Sequence, residues 1–387
     1  MKNLRGILVA AVFAALTALL KLLAVRYDAL MNFAYPFASR TMQAYLANWS
    51  AKADFCIWQA ALAAFLVLVI LSIGLMILFR WNFFRWLGWV LAPVSMVYFI
   101  FTAIWGLNYY NRPIAESMKL EVRDYTVVDL EDAAIYYRDQ ANALASQLPR
   151  EENGDLKPEQ FEIQAQKAGD GFDNLVQDYS IFAGARQPVK KLGWSGLFSK
   201  FGTAGVTVGL TGEAAVNPDV YAATIPFNMC HEMAHRLAIA SEDSANFAGY
   251  LACEANEDLQ FRYSGYLMAY LYCSNALAQV DGDAWRAVRS GASQELRHDL
   301  EANNENVAQS DGPVKEQAQQ AYSAFLESNG QEEGIKSYDR VSDLLVAWYL
   351  DQYAENDEPE PPAFDPFRYE DVFPEATAET TAPSGEN

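Results

Sequence analysis

Long apolar runs dominate the first hundred residues and predict membrane-spanning helices. The runs cover residues 8–25, 58–79 and 87–105, and each approaches the roughly 20 residues that cross a bilayer. Only Lys21 interrupts the first run, and the other two contain no charge. Aromatic side chains mark the edges of the runs, as is typical of membrane interfaces: Trp58, Trp81, Trp86, Trp105, Tyr109 and Tyr110. The sequence therefore predicts three transmembrane helices.

Basic residues near these runs predict the orientation of the chain. Lys2 and Arg5 precede the first run, and Arg80 and Arg85 lie between the second and third, which favours a cytoplasmic position for both segments. Three basic residues in the first loop oppose this orientation: Arg26, Arg40 and Lys52. A signal peptide is the alternative for the first run, but its length and the two later runs favour an uncleaved helix. We expect a multi-pass protein of the cell membrane, with a cytoplasmic N-terminus and an extracytoplasmic C-terminal domain.

Beyond residue 106, apolar positions recur mostly at helical spacing. Helical patterns cover residues 126–148, 158–182, 259–277, 313–326 and 338–353. The 259–277 segment is apolar enough to resemble a fourth span, but Arg262 and several tyrosines favour a buried core helix. Residues 205–216 are rich in glycine and β-branched side chains and predict one or two short strands. The expected fold is mainly α: three transmembrane helices followed by a mostly helical domain with a small β-sheet.

The charge pattern divides the chain further. The net charge is −21, and residues 351–387 contain eleven acidic residues against one arginine, a net of −10. Such composition, with several prolines, is typical of a disordered, solvated tail. We therefore expect a membrane domain at residues 1–106, a folded domain at 107–355 and an acidic tail at 356–387. The acidity argues against nucleic acid as a partner.

Two of the three histidines carry the chemical signal. His231 and His235 stand four residues apart in the string HEMAH, which places both imidazoles on one face of a helix. That spacing allows both to bind one metal ion, and Glu232 between them is placed to act as the general base for a metal-bound water. This HExxH pattern is typical of zinc peptidases. We expect a strand before this helix, which would pair with a substrate backbone.

A zinc site with two histidines needs a third protein ligand. Glu242 is our first choice, because it begins the string EDSAN, in which Asn246 would orient a ligand imidazole through its amide carbonyl. Glu254 is the second choice and Asp243 the third. We expect His298 to be a surface residue. The four cysteines form no CxxC pair, so a thiolate zinc site is unsupported and buried free thiols are expected.

The expected chemistry is hydrolysis of a peptide bond in a peptide or protein substrate, with Zn²⁺ as cofactor. Glu232 would take the proton of the water and pass it to the leaving amine. An additional donor usually stabilises the tetrahedral oxyanion. Tyr263 and Tyr266 on the next helix are the candidates for that role, with Arg262 as a further one, although core or surface packing is the alternative for each of them.

Several strings together resemble an uncharacterised bacterial membrane-protein family of unknown function. They are WGLNYY at 105–110, TGEAAVN at 211–217, IPFNMCHEMAH at 225–235, EDSANF at 242–247 and GIKSY at 334–338. The resemblance covers all but the acidic tail and implies three N-terminal transmembrane helices and a zincin-like, gluzincin-type domain. It implies a metallopeptidase with His231, Glu232, His235 and Glu242 in its site, but no substrate. Ala238 departs from the glycine expected three residues after the second histidine, so the turn there is expected to differ.

Other functions remain open from the sequence. A catalytically inactive zinc site would keep the same ligands, although a purely structural site has no need of Glu232. A metal-free, membrane-anchored scaffold or interaction protein would make the motif accidental. An intramembrane protease would place the motif inside a span, which the polar residues Asn228, Arg236 and Asp243 disfavour.

Overall fold

The membrane part contains the expected three apolar helices. The computed structural model describes residues 4–27, 29–331 and 340–354. Within them, three helices are long and apolar enough to span a membrane: α1 (Arg5–Arg26), α3 (Ile57–Leu78) and α4 (Phe83–Ile104). α1 and α4 run in the same direction, because Gly6 lies against Gly88 near their starts and the Lys21 ammonium donates to the Tyr98 hydroxyl (3.0 Å) further along. This parallel arrangement agrees with three successive crossings of a bilayer.

The first loop is more ordered than the sequence suggested. A π-helical turn (Leu30–Ala34) leads into a further helix, α2 (Tyr35–Ser50), between the first two spans. Pro36 falls in the first turn of α2, where its missing N–H is tolerated. The Ser39 hydroxyl donates to the Ile104 carbonyl (2.9 Å), and the Gln43 amide donates to the Gly209 carbonyl (2.9 Å). These contacts fix α2 against α4 and the folded domain.

Beyond the membrane helices the chain is mostly helical. The helices of this part are α5 (Ile114–Met118), α6 (Val127–Ala145), α7 (Phe161–Lys167), α8 (Asp170–Leu175), α9 (Ser195–Lys200), α10 (Ile225–Arg236), α11 (Glu242–Glu254), α12 (Leu259–Val280), α13 (Gly282–Ser290), α14 (Gln294–Ala308), α15 (Pro313–Ser328) and α16 (Val341–Gln352). α12 is the buried core helix that the sequence predicted, and it packs against α6, α11 and α16. The mainly α fold with a small sheet is therefore confirmed.

One predicted helical segment needs correction, and another lies partly outside the described residues. The single helix expected over 158–182 is divided into α7, α8 and a 3₁₀ turn (Ser180–Phe182). The break falls at residues 168–169, and within α8 Gly171 lies directly against the Ala252 carbonyl of α11, where a Cβ would not fit. The beginning of the predicted 338–353 helix and the whole tail at 356–387 lie outside the described residues.

A three-stranded sheet lies beside α10. Its strands are β1 (Lys190–Lys191), β2 (Gly205–Val208) and β3 (Glu213–Val216), in the order β1–β3–β2. β1 is parallel to β3, with Lys190 opposite Ala215, and β2 is antiparallel to β3, with Val206 opposite the same residue. β2 and β3 are the strands expected between residues 205 and 216, and β2 is an edge strand of the described sheet.

A buried carboxylate connects the sheet to the second span. Glu213 on β3 accepts hydrogen bonds from the backbone N–H groups of Ile57 (2.7 Å) and Trp58 (3.0 Å), which belong to the free N-terminus of α3. The Lys190 ammonium donates to the same carboxylate at 2.7 Å. The first turn of α3 is thus held by the sheet.

All four cysteines are buried and form no disulfide, as expected.

Candidate metal centre

The HExxH motif lies on α10, and contacts at both ends of this helix hold it in place. Near its start, the Phe227 backbone N–H donates to the Ser264 hydroxyl of α12 (3.0 Å), so a free helix-start donor has a partner. Past its end, Ala238 adopts a left-handed conformation with φ +69°. The Ile239 N–H then donates to the Ala234 carbonyl (3.1 Å), which closes a Schellman-type turn. The turn expected to require glycine is therefore formed with alanine.

The turn returns the chain so that α11 begins beside the motif. Glu242, the first residue of α11, is buried and faces His231 and His235. The three ligand atoms form a compact triangle: the two Nε2 atoms are 3.1 Å apart, and Glu242 Oε2 lies 3.3 Å from that of His231 and 3.5 Å from that of His235. Ligands at 2.0–2.1 Å from a tetrahedral zinc ion are separated by about 3.3 Å. The three residues therefore fit the donor set and the dimensions of a zinc site.

The imidazole of His235 is oriented for metal binding. Its Nδ1 lies 2.8 Å from the Ile239 carbonyl oxygen. A carbonyl only accepts, so Nδ1 carries a proton and Nε2 is the ring atom left to face a metal ion. Burial opposes a charge on this ring, but the adjacent Glu242 carboxylate raises the pKa of His235 to about 9. Nε2 is therefore protonated at neutral pH, and a metal ion would have to displace that proton.

Asn246 does not make the contact that the sequence predicted. It is buried on α11, yet its Nδ2 has no hydrogen-bond partner among the described residues, and neither has Nδ1 of His231. No hydrogen bond joins the two side chains. The orienting role expected for Asn246 is therefore not present in this arrangement.

Glu232 faces the edge strand β2. Its Oε2 accepts a hydrogen bond from the Thr207 hydroxyl at 2.7 Å, and a Cβ at Gly205 would lie 2.5 Å from its Oε1. Gly205 therefore permits the close approach of β2 to this carboxylate. Burial raises the pKa of Glu232 above its ordinary value, against the opposing effect of His231. A raised carboxylate pKa suits a group that accepts and returns a proton.

Two aromatic residues distant in sequence support the ligands. The Tyr322 hydroxyl of α15 donates to Oε1 of Glu242, while Oε2 faces the imidazoles. Although burial raises the pKa of Glu242, the neighbouring His235 lowers it well below its usual range. The indole N–H of Trp105, just past α4, donates to the His235 carbonyl (3.0 Å). The end of the third span therefore contacts the metal helix directly.

The proposed oxyanion donors point elsewhere. The Tyr263 hydroxyl donates to Asp299, and the Tyr266 hydroxyl donates to Glu254 at 3.0 Å. The Glu254 carboxylate also accepts from Tyr250 at 2.5 Å and does not join the histidine pair. The structure therefore brings neither tyrosine to the cluster, and it does not support Glu254 as a ligand.

The remaining candidates also lie away from the three ligand atoms. Asp243 faces a polar cavity of about 690 Å³ beside the end of α10, and its Oδ1 has no hydrogen-bond partner among the described residues. Arg262 contacts no residue of the cluster. His298 is a partly exposed residue whose Nε2 lies 2.8 Å from Asp155, as expected for a surface position.

Sequence reasoning missed Thr207, Trp105 and Tyr322 as supports of the site. Trp105 had a visible signal, since it closes the third apolar run, but that signal indicated only a membrane edge. Tyr322 is 80 positions from Glu242 on a largely exposed helix, and no local pattern relates the two. In the described part of the chain, His231, His235 and Glu242 are the group of metal-ligating side chains close enough to share an ion.

Comparison with known proteins identifies a family without an assigned activity. No curated protein and no solved structure matches the chain. A family described as "Protein of unknown function (DUF3810)" matches residues 31–346, which include α2, the last two spans, the sheet, α10 and α11. Because this match covers most of the sequence, the chain belongs to that family.

Proposed function

We propose that this protein is a membrane-anchored zinc metallopeptidase. The supporting observation is the triangle of His231, His235 and Glu242, whose sides of 3.1–3.5 Å agree with the spacing of about 3.3 Å in a tetrahedral zinc site. Three protein ligands leave one tetrahedral position open, which is the arrangement of catalytic rather than structural zinc sites.

The residues around the triangle supply the further requirements of hydrolysis. Zinc bound in such a site acts as a Lewis acid and lowers the pKa of bound water towards about 7. Glu232 receives the proton from the attacking water and delivers it to the leaving amine. The Thr207 hydroxyl holds the Glu232 carboxylate at 2.7 Å and so fixes its direction. Thr207 is thus a positioning residue.

The edge strand β2 offers a place for the substrate backbone. It pairs with β3 on one side, and Gly205 and Thr207 on the same strand adjoin Glu232. An extended peptide that adds to the free edge of β2 would lie along the general base. We therefore propose a peptide or protein substrate in an extended conformation.

We also propose that the helical domain is extracytoplasmic. Lys2, Arg5, Arg80 and Arg85 favour the cytoplasmic side at the start of α1 and between α3 and α4. The parallel course of α1 and α4 supports an odd number of crossings, which leaves the site on the opposite side from the N-terminus.

The test is zinc content and turnover of the full-length protein in detergent. We expect about one zinc per chain by mass spectrometry, lost in His235→Ala and in Glu242→Ala because each removes a ligand. His298→Ala and Glu254→Gln are the matched controls, which change the same residue types outside the triangle and should retain zinc.

Turnover separates catalysis from metal binding alone. Glu232→Gln should keep zinc but lose cleavage of a library of unstructured peptides, measured by mass spectrometry of the products. Wild-type protein that contains no zinc, even after zinc is added back, would contradict the proposal and favour a metal-free scaffold. Zinc that is bound by His231, His235 and Glu242 without any cleavage above the Glu232→Gln level would favour a non-catalytic metal site.

A further inference from the structure

The helix α2 has an outer face whose composition differs from that of an ordinary surface helix. Phe33, Phe37, Tyr45 and Trp49, which we call the aromatic stripe, recur every four or eight residues. At about 100° per residue they spread over about 160° and share the half of the helix and its preceding turn that faces away from the buried side. Their exposed fractions are 68%, 69%, 70% and 49%. Thr41 occupies the remaining position of the series. Four large rings are thus open to the surroundings on a short stretch of chain.

The inner face of α2 has the opposite character. Its buried side chains are small or polar and include Ser39, Gln43 and Ser50. Ser39 and Gln43 donate to the carbonyls of Ile104 and Gly209 at 2.9 Å each. Because these hydrogen bonds would be lost if the helix rotated, the aromatic stripe cannot turn inward to form a core. The arrangement is inverted relative to a helix that packs its apolar face on a domain.

The position of α2 in the chain limits what can cover the stripe. α1 ends at Arg26 and α3 begins at Ile57, so both of these ends lie at the same bilayer surface if α1 and α3 are successive spans. The intervening segment, including all of α2, would then start and finish at that surface.

Two arginines border the stripe. The Arg40 guanidinium donates to the Ile181 carbonyl at 2.7 Å, and that of Arg112 lies 4.8 Å from the centre of the Phe33 ring. Neither forms an ion pair with a carboxylate within residues 4–27, 29–331 and 340–354. Both arginines, with Phe33, also line the polar cavity beside the end of α10, so this end of the stripe borders the domain as well as the proposed bilayer surface. Aromatic rings beside cations are typical of membrane interfaces.

We propose that α2 is an interfacial helix that lies in the bilayer surface, with the aromatic stripe inserted towards the acyl chains. The partner is the lipid layer itself, and the helix contacts it on the side where α1 ends and α3 begins. Its apolar outer face and polar inner contacts distinguish it from a loop that merely joins two spans. The inference concerns lipid contact and is independent of any catalytic activity.

The test is the depth of spin labels in the full-length protein reconstituted into phosphatidylcholine–phosphatidylglycerol vesicles. Single cysteines replace Phe37 and Tyr45 on the stripe, and the four natural cysteines are buried, so the new sites are labelled selectively. We expect labels at 37 and 45 to collide more often with oxygen and less often with a water-soluble nickel chelate than a label in Glu301→Cys. Glu301 is an exposed position on α14.

Two outcomes would overturn the proposal. Labels at 37 and 45 that collide with the nickel chelate as often as the label at 301 would show that water covers the stripe. Dipolar broadening between labels on different chains, lost on dilution with unlabelled protein, would show that a second copy covers it. Parent protein carried through the labelling reaction measures any signal from the natural cysteines, and an unchanged unfolding temperature shows that the exposed replacements leave the fold intact.

Discussion

At the scale of single residues, Glu242 is contacted on both of its carboxylate oxygens. Oε2 faces the two imidazoles, and Oε1 accepts the Tyr322 hydroxyl. The hydrogen bond holds the carboxylate in one rotamer and leaves Oε2 directed at His231 and His235. Groups that orient a metal ligand in this way commonly make a large contribution to metal affinity.

Removal of that hydroxyl should therefore weaken metal binding. In Tyr322→Phe we expect the zinc dissociation constant to rise by roughly 10- to 100-fold, measured by competition with a chromophoric chelator. Tyr266→Phe is the matched control, because it removes a hydroxyl that donates to a different, partly buried glutamate, Glu254. Equal affinities for Tyr322→Phe and wild type would show that the hydroxyl does not orient the ligand.

The candidate metal ligands could be predicted from sequence to different degrees. The pairing of His231 with His235 follows from helical spacing alone, and the structure places Glu242 at 3.3 and 3.5 Å from their Nε2 atoms, while its role as a ligand stays a prediction. Tyr263 and Tyr266 were wrong as neighbours of the cluster, because their hydroxyls donate to carboxylates elsewhere, buried Asp299 and partly buried Glu254. Which buried acid a tyrosine reaches depends on how helices pack, and spacing along one helix does not contain that information.

At the scale of secondary-structure elements, the start of α3 depends on β3. The Glu213 carboxylate accepts two backbone N–H groups of α3 and the Lys190 ammonium, and both of these charged side chains are largely buried. Glutamate at a helix N-terminus also interacts favourably with the helix dipole. Loss of the Glu213 charge would leave the largely buried Lys190 ammonium without this compensating carboxylate.

We expect Glu213→Gln to destabilise the protein by roughly 3 kcal/mol, because it breaks a buried ion pair while the other charge stays buried. The measurement is the thermal unfolding midpoint of the full-length protein in detergent. Glu162→Gln, which breaks the exposed pair with the adjacent Lys191, is the control and should not change the midpoint. Equal midpoints for the two variants would contradict a structural role for the Glu213 contact.

The elements differ in how well their patterns predicted them. The three spans and α12 have long apolar runs, and their positions are confirmed. No helix was predicted for the segment that forms α2, which lies in the first loop; it is held by contacts with α4 and the folded domain that the sequence pattern does not contain. β1 has two residues, too few for a detectable alternation, and it forms because β3 offers a free edge.

At the scale of the whole molecule, two of the three candidate membrane helices, α1 and α4, form a tight pair, whereas α3 contacts α4 mainly through the Trp86–Ser72 hydrogen bond (2.9 Å). α1 and α4 pack closely where Gly6 meets Gly88, since a Cβ on Gly6 would lie 2.5 Å from the Gly88 carbonyl carbon. Small residues at such crossings let helix backbones approach in a bilayer. In contrast, nothing lies within 4 Å of a Cβ placed on Gly74 of α3.

The two glycines should therefore respond differently to the same substitution. Gly88→Val should destabilise the protein by roughly 1–3 kcal/mol through overpacking of α1 against α4, seen as a lower unfolding midpoint in detergent. Gly74→Val should leave the midpoint unchanged, since its added methyl groups face open space. A similar loss in both variants would indicate a general effect of valine in these helices rather than a close crossing.

The hydrogen bond from Trp105 to the His235 carbonyl limits which fragments of the chain would keep the native contacts of the helix α10. A fragment that begins at Asn111 would lack the indole and would also lose the contacts of α2 with the domain. Such a fragment would not be equivalent to the same residues within the whole chain. The candidate membrane helix α4 is thus joined directly to the helix of the HExxH motif, so a tilt of α4 caused by a thinner bilayer would act on His235 without an intervening loop.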